Sequence, residues 1–413
     1  MASFAPIVGE RHARAGGPAD AVDGLLPTAV VEPGSVEEVA ACMKLATARG
    51  LKVLVRGGRT KLGWGRPPAG IDLVLCTTRL DRILEHAAGD LVLQAQAGAR
   101  LTEVQERLAP AGQWLGLDPP PPAATLGGIV AANASGPRRL RFGTARDLLI
   151  GITVVLADGT VARAGGKVVK NVAGYDLGKL FTGSLGTLGV IVEVTFRLHP
   201  RPPARGTVDL EPGSPEEAGA AVQSLLHSVL VPSAVELHWR EDCGRLTVLF
   251  EGGPSAVESQ AQSAASLLAP HGPPAVVDLD GGATVSPSVA APRDLDLKIT
   301  TLPTDLPFVI REAARVGASL ALRPHLRGHA ASGVLFLALS GGDDDARAEA
   351  VAAFRRAVAP RGGSVVVLQA SPALKRRVDV WGPAGDGLEL MRRVKRQFDP
   401  HSTLAPGRFV GGI

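Results

Sequence analysis

The sequence runs to 413 residues, 45% of them hydrophobic, and its 44 Lys and Arg against 40 Asp and Glu leave a formal net charge of +4. That length predicts two or three domains with real cores, and a mean hydropathy of +0.17 excludes a disordered chain. No apolar run is long enough to cross a bilayer, no basic block with interleaved aromatics points to nucleic acid, and Cys42, Cys76 and Cys243 are too scattered for a disulfide framework, a zinc site or an iron–sulfur cluster.

Arg11, His12 and Arg14 are not followed by an apolar stretch of signal-peptide type, so a cytoplasmic protein is expected, with residues 1–27 as an N-terminal extension. Thr28 to Val31 reads as a strand. Ser35-Val36-Glu37-Glu38 forms a capping-box sequence, and Val36, Val39, Met43 and Ala46 recur on one helical face. Lys52 to Val55 is the returning strand, so 28–55 is a βαβ unit with parallel strands. It empties into Arg56-Gly57-Gly58-Arg59-Thr60-Lys61, where bare N–H groups of a glycine turn and three cations would make a nest for a pyrophosphate. This loop is neither a Walker A sequence nor a G-x-G-x-x-G fingerprint.

Leu91 to Gln96 is a strand, and Leu101, Val104 and Leu108 mark a short amphipathic helix. The proline run 119–122 leads, extended, into the segment around which the chain is organised. Thr125-Leu126-Gly127-Gly128, then Asn133, Ser135, Gly136 and Gly143, place glycines and small polar side chains where a backbone would press against a flat, anionic cofactor. Ile152–Leu156 and Thr160–Ala164 flank Asp158-Gly159, a hairpin signal. Next come Lys170 and Tyr175, the one tyrosine of the chain, as candidates for a buried polar site. A third glycine loop, 183–189, runs into Val190-Ile191 and a strand expected to be half-buried.

From 206 to about 380, short strands alternate with helices: strands at 235–239, 246–250, 276–279, 295–299, near Leu320, 334–339 and 364–368; helices at 261–268, around 308–316 and 345–358. The pattern predicts an antiparallel sheet with helices on one face, in two similar halves. His325 and His329 lack a third ligand and are expected to be solvated loop residues, so no metal site is predicted. Lys298 and Arg323 are candidate carboxylate binders.

The three glycine segments resemble those of the vanillyl-alcohol oxidase and p-cresol methylhydroxylase (PCMH-type) FAD-binding superfamily. Within it, Lys170 to Leu177, Ala134 to Arg139, Arg146-Asp147 and the closing Phe398-Asp399-Pro400 and Pro406-Gly407-Arg408-Phe409 resemble the glycolate oxidase FAD-binding subunits, GlcE. The resemblance implies an α+β chain: a two-subdomain FAD-binding domain at 28–200 (28–80 and 81–200), a cap or substrate domain at 201–380, and a C-terminal segment, 381–413, returning to the FAD domain. It implies FAD held by Arg56, Gly57, Gly58, Arg59, Thr60 and Lys61 at the pyrophosphate, and by Pro122, Thr125, Leu126, Gly127, Gly128, Asn133, Ser135, Gly136, Gly143, Gly189, Val190, Ile191 and Arg408 elsewhere. With no His or Cys in the pyrophosphate loop, the flavin is expected to be non-covalent. Ala405 stands where the family usually has Asn, and Leu185 where the sister catalytic subunit GlcD commonly has Glu.

The implied activity is oxidation of glycolate or a related 2-hydroxy acid to glyoxylate or its counterpart, with electrons passed to a GlcD-like flavin subunit and an iron–sulfur subunit. Any membrane contact would come through those partners. The rivals are a stand-alone flavin oxidoreductase for another 2-hydroxy acid or alcohol, and a non-catalytic flavoprotein that relays electrons or supports assembly.

Overall fold

The structure is a computed structural model that describes residues 4–118, 123–167, 175–241, 243–277 and 294–413. One compact unit gathers Met1–Ser135, Thr144–Arg201 and Pro383–Ile413; the other gathers Gly136–Gly143 and Pro202–Gly382.

The first unit begins with a small sheet of β1 (Ala13–Ala15), β2 (Ala29–Val31), β3 (Val53–Arg56) and β4 (Leu73–Cys76), in the order β1-β2-β4-β3. β2 and β3 both run parallel to β4, which lies between them, so the βαβ crossover skips one strand. β1 pairs antiparallel with β2, which makes part of the expected N-terminal extension an edge strand of this sheet. The connecting helix α1 (Val36–Ala48) starts at Ser35, whose Oγ accepts from the Glu38 amide at 3.1 Å. Glu38 returns its carboxylate to the Gly34 amide at 2.7 Å, one residue earlier than the capping-box pattern places it. Val39, Cys42, Met43 and Ala46 on its inner face are fully buried.

A second, all-antiparallel sheet comprises β5 (Ile83–Ala87), β6 (Val92–Gln96), β7 (Leu149–Val155), β8 (Val161–Gly165) and β9 (Val190–Arg197), in the order β5-β6-β9-β7-β8. The β7–β8 hairpin turns at Asp158-Gly159, with Gly159 at φ +88°, and Asp158 accepts from the Thr160 amide at 2.8 Å. β9 is not half-buried as expected. It is the middle strand: Ile191, Val194 and Phe196 enter one core with α2 (Leu101–Leu108) and α3 (Leu126–Ala132), while Val190 and Val192 enter another with α1. A central strand covered on both faces reads as a continuous apolar run.

The second unit is one eight-stranded antiparallel sheet. Its strands are β10 (Ala204–Leu210), β11 (Ala234–Arg240), β12 (Cys243–Gly252), β13 (Pro274–Val277), β14 (Leu295–Thr300), β15 (Arg323–His329), β16 (Val334–Ser340) and β17 (Ser364–Gln369). With helices α4 (Pro215–Leu226), α5 (Pro254–Leu268), α6 (Leu306–Leu320) and α7 (Asp344–Val358), they form two successive βαββαβ halves. The order β13-β10-β12-β11 is mirrored as β15-β16-β14-β17, and β11 joins β15 at the centre through Leu237 opposite Gly328. Leu237, Leu297 and Leu337 face the helices in one core, so the alternate residues His238, Lys298 and Phe336 occupy the opposite face. The strand expected near Leu320 starts three residues later, at Arg323, because α6 runs through Leu320 and ends on Ala321 in the left-handed region.

Candidate cofactor site

The first unit contains an open cleft. Its wall is made by the end of β3 and the loop after it (Leu54, Val55, Gly57 to Leu62), by Thr77, by α3 with its cap, by Leu185, Gly186, Gly189 and Ile191, and by Arg408 from the C-terminal segment. Thus Gly57, Gly58, Arg59, Thr60, Lys61, Thr125, Gly127, Gly128, Gly189, Ile191 and Arg408, scattered over the sequence, share one cleft.

Close packing explains several of the glycines. A Cβ on Gly58 would sit 1.9 Å from the Ala123 carbonyl oxygen, and one on Gly57 would sit 2.3 Å from Thr125 Oγ1. The first loop therefore presses directly on the cap of α3, where Thr125 Oγ1 accepts from the Gly128 amide at 3.4 Å. Gly127 packs in the same way on Ala97, and Gly189 on Phe181.

The cations of the first loop do not all face the cleft. Arg56 is buried away from it and donates from Nη1 to Asp20 Oδ1 at 2.8 Å, while Arg14 forks onto both oxygens of that carboxylate at 2.6 and 2.8 Å. The Arg14 hydrogen bond, opposed by burial and joined by Arg56, holds the Asp20 carboxyl well below the usual carboxylate range. Arg59, at φ +65°, donates to the Ala19 carbonyl, and Lys61 Nζ lies 4.3 Å from the centre of the Trp64 ring. The buried charge of the wall is Arg408, which donates to the Leu62 carbonyl; burial pushes its pKa down to about 10, with Asp23 opposing, so it stays a cation at neutral pH.

The remaining expected residues take other positions. Leu126 and Val190 are core side chains, so only their neighbours reach the cleft. Asn133 is the left-handed cap of α3, and Ser135 lies beyond it, off the cleft wall. Gly136 and Gly143 belong to the second unit, where Arg138 forks onto Glu251 at 2.8–3.1 Å. Tyr175 is 93% exposed, which removes the reason to treat it as a buried polar site. Pro122 and Lys170 lie outside the described residues. Thr77, Ala131 and Ala132 escaped the sequence reading: Thr77 follows β4, whose insertion between β2 and β3 no local pattern announces.

The lining suits a dinucleotide such as FAD. Arg408 supplies a buried positive charge, the glycine loop offers backbone against a flat surface, and beside the wall the buried Asn133 Oδ1 and Ser184 Oγ have no hydrogen-bond partner among the described residues.

The second unit has a polar face of its own. His329, expected in a loop, is on β15 and 3% exposed; its Nδ1 lies 2.6 Å from Glu236 Oε1 on β11, and its Nε2 is buried without a partner among the described residues. Phe336 stands opposite Lys298 on one side and Arg327 on the other. Its ring meets the His329 ring edge-on at 5.6 Å and carries the Arg327 guanidinium at 5.0 Å. Lys298 forms no ion pair with a described residue, and burial, reinforced by Arg139, lowers its pKa. Arg323 is exposed at the strand end.

Comparison with known proteins agrees with this architecture. Residues 27–165 match the FAD binding domain family, and residues 380–409 match the C-terminal domain of FAD linked oxidases. The chain carries a PCMH-type FAD-binding fold, and FAD is its cofactor. The crystal structure of p-cresol methylhydroxylase with substrate bound superposes with a TM-score of 0.74 over 98% of this chain and 95% of that one, at 16% identity. Among curated relatives, the glycolate oxidase subunit GlcD of Bacillus subtilis is 32% identical over 51% of this chain and 45% of its own length. The D-lactate dehydrogenase of Archaeoglobus fulgidus is 39% identical over 42% and 39%, and the glycolate oxidase subunit GlcE of Escherichia coli is 39% identical over 37% and 43%. Each of these alignments spans less than half of the relative's length.

Proposed function

We propose that the protein is an FAD-dependent oxidoreductase that oxidises a small 2-hydroxy acid, glycolate foremost, to the 2-oxo acid, as the FAD-binding subunit of a glycolate oxidase complex. The observation that carries this reading is the cleft itself: three glycine segments and Arg408 meet on one wall, and residues 27–165, which carry the first two segments, match FAD binding domains. The amides of Gly57, Gly58 and Thr60 with the Arg408 cation would hold the pyrophosphate, as backbone nests and a buried guanidinium do for phosphates. Leu185, Gly189 and Ile191 would offer an apolar surface to the flavin ring. When bound, FAD supplies the two-electron acceptor.

A hydroxy carboxylate would find its binding groups on the polar face of the second unit. Lys298 has no acid partner among the described residues and, protonated, would bind the carboxylate. His329, oriented through Nδ1 by Glu236, would present Nε2 to the hydroxyl; a histidine fixed by a carboxylate is suited to accept a proton. Phe336 would form the floor between them.

The partners this reading implies are a GlcD-like flavin subunit, supported by the similarity to GlcD and GlcE, and an iron–sulfur subunit to take the electrons onward. Oxidation of a different 2-hydroxy acid is the second reading, favoured by relatives that are D-lactate and D-2-hydroxyglutarate dehydrogenases. Anaerobic addition of glycolate, D-lactate or D-2-hydroxyglutarate to the FAD-loaded chain, followed by flavin absorbance, tests both. Bleaching by one acid identifies the substrate. A flavin that stays oxidised alone and bleaches once GlcD is added assigns the chain a relay or assembly role. No bleaching with any acid, alone or with partners, rejects the proposal.

A further inference from the structure

Lys395, on α8 (Leu388–Phe398), is a buried lysine that does not line the FAD cleft. Its ammonium donates to three acceptors: the Thr187 carbonyl at 2.8 Å, Asp399 Oδ2 at 2.6 Å and the Leu404 carbonyl at 2.9 Å. That uses all three donors of the group. Asp399 is equally occupied, its Oδ1 accepting from the Thr403 amide at 2.9 Å and its Oδ2 from the Leu404 amide at 2.7 Å.

Both main-chain acceptors lie on stretches that carry part of the cleft wall. Thr187 sits between Gly186 and Gly189. Leu404 is bridged to Val53 on β3, where the Val53 amide donates to the Thr403 carbonyl at 2.7 Å and the Ala405 amide to the Val53 carbonyl at 2.9 Å. β3 leads straight to Gly57 and Gly58, and four residues beyond Leu404 comes Arg408, whose carbonyl accepts from the Arg66 amide at 3.0 Å. One ammonium thus ties together the glycine loop after β3, the loop 183–189 and the Arg408 segment. A buried charge that only stabilised the fold could be replaced by packed apolar groups at little cost. Its aim at two main-chain carbonyls of loops that share a ligand wall is what sets this one apart.

We propose that Lys395 is a positioning residue for FAD: it holds the three wall segments in their binding geometry before the cofactor arrives. Holding them in advance removes the ordering cost that would otherwise be charged against affinity. The inference rests on the FAD cleft described above, and its test keeps the two apart.

FAD affinity of the full chain is measured by fluorescence titration, with stability followed in parallel by urea denaturation. The wild-type chain should bind one FAD; failure to do so would sink the cleft assignment itself and this inference with it. Lys395→Met should weaken FAD binding at least tenfold and also lower stability, because Asp399 is left buried and unpaired. The double variant Lys395→Met with Asp399→Asn, which removes the unpaired charge and keeps an amide oxygen for the buried backbone donors, should regain part of the lost stability but keep the weak FAD affinity, since the Thr187 and Leu404 carbonyls remain untied. Recovery of both together, or undiminished affinity in Lys395→Met, overturns the proposal. A reading that needs no variant is hydrogen exchange in the FAD-free wild-type chain. The amides of Leu185, Thr187 and Leu404 should already be protected, and protection that arises only on adding FAD would also overturn it.

Discussion

His329 on β15 and Glu236 on β11 meet at 2.6 Å across the central strand pair, where the two βαββαβ halves of the second unit join. Both side chains are buried, His329 at 3% and Glu236 at 4% exposure, so each is the other's compensation for lost water. Glu236→Ala or His329→Ala should therefore each cost about 2–3 kcal/mol, because each leaves a buried polar group unpaired. A double-mutant cycle by urea denaturation should return a coupling of at least about 1 kcal/mol. Additive losses would show that the pair is not an energetic unit.

Six of the eight strands of the sheet that carries this pair are readable from the sequence as short alternating or apolar runs between turn signals; β10 (Ala204–Leu210) is not seen there, and β15 is placed too early, near Leu320. What periodicity could not give was partnership. His325-Leu326-Arg327-Gly328-His329 has a residue order that reads as loop, with Gly328 at φ +145° in its middle, yet pairing with both β11 and β16 makes it a central strand. The same limit appears in the first unit. β4 enters between β2 and β3, and only that insertion brings Thr77 to the cleft. Arg56 looked like a phosphate ligand because it precedes two glycines; its true partner, Asp20, lies 36 residues earlier, and no local rule links them. Ala405 is the instructive case on the other side. It adopts φ +39°, a conformation that Asn tolerates better than Ala, so the Asn that the resemblance leads one to expect here has a backbone reason.

Asp20 gives an acid-stability prediction. Its carboxyl is bonded by Arg14 and Arg56 and titrates below its ordinary range when folded, so its stabilisation is complete above the unfolded value of about 3.9 and is lost as pH falls from there through the lower folded value. Asp20→Asn should cost about 3 kcal/mol near neutral pH, the scale for breaking a buried ion pair. The variant's urea midpoint should also vary less between pH 5 and pH 2 than that of the wild type. Parallel pH curves for the two proteins would refute the assignment.

Tyr175 stands 93% exposed. Tyr175→Phe is expected to leave both FAD affinity and the rate of flavin reduction unchanged within twofold, measured by stopped-flow absorbance with the active 2-hydroxy acid. A loss of tenfold or more would restore the hydroxyl to the reacting centre.

Filling the cleft separates cofactor binding from folding better than altering the first loop. Any side chain on Gly58 would strike the Ala123 carbonyl, so a Gly58 variant should lose stability and FAD together. Ala132, partly exposed on the wall, tests the ligand alone: Ala132→Phe should reduce FAD occupancy at least tenfold with a urea midpoint within error of the wild type. Full occupancy in that variant would mean that FAD sits elsewhere.

Lys298 sets stability against substrate binding. Burial and the Arg139 charge lower its folded pKa, so the unfolded chain holds the proton more tightly, and the protonated lysine opposes folding at neutral pH. That penalty fades as pH rises through the folded value towards the unfolded one near 10.4. Lys298→Met should accordingly be more stable than the wild type at pH 7, and the difference should shrink as the pH approaches 10. The same change removes the cation proposed for the carboxylate. Affinity for oxalate, a non-reacting dicarboxylate, should fall at least tenfold by calorimetric titration of the FAD-loaded chain. A variant that gains stability and loses oxalate marks Lys298 as a functional cation held against the preference of the fold; one that keeps oxalate affinity moves the carboxylate site off this face of the sheet.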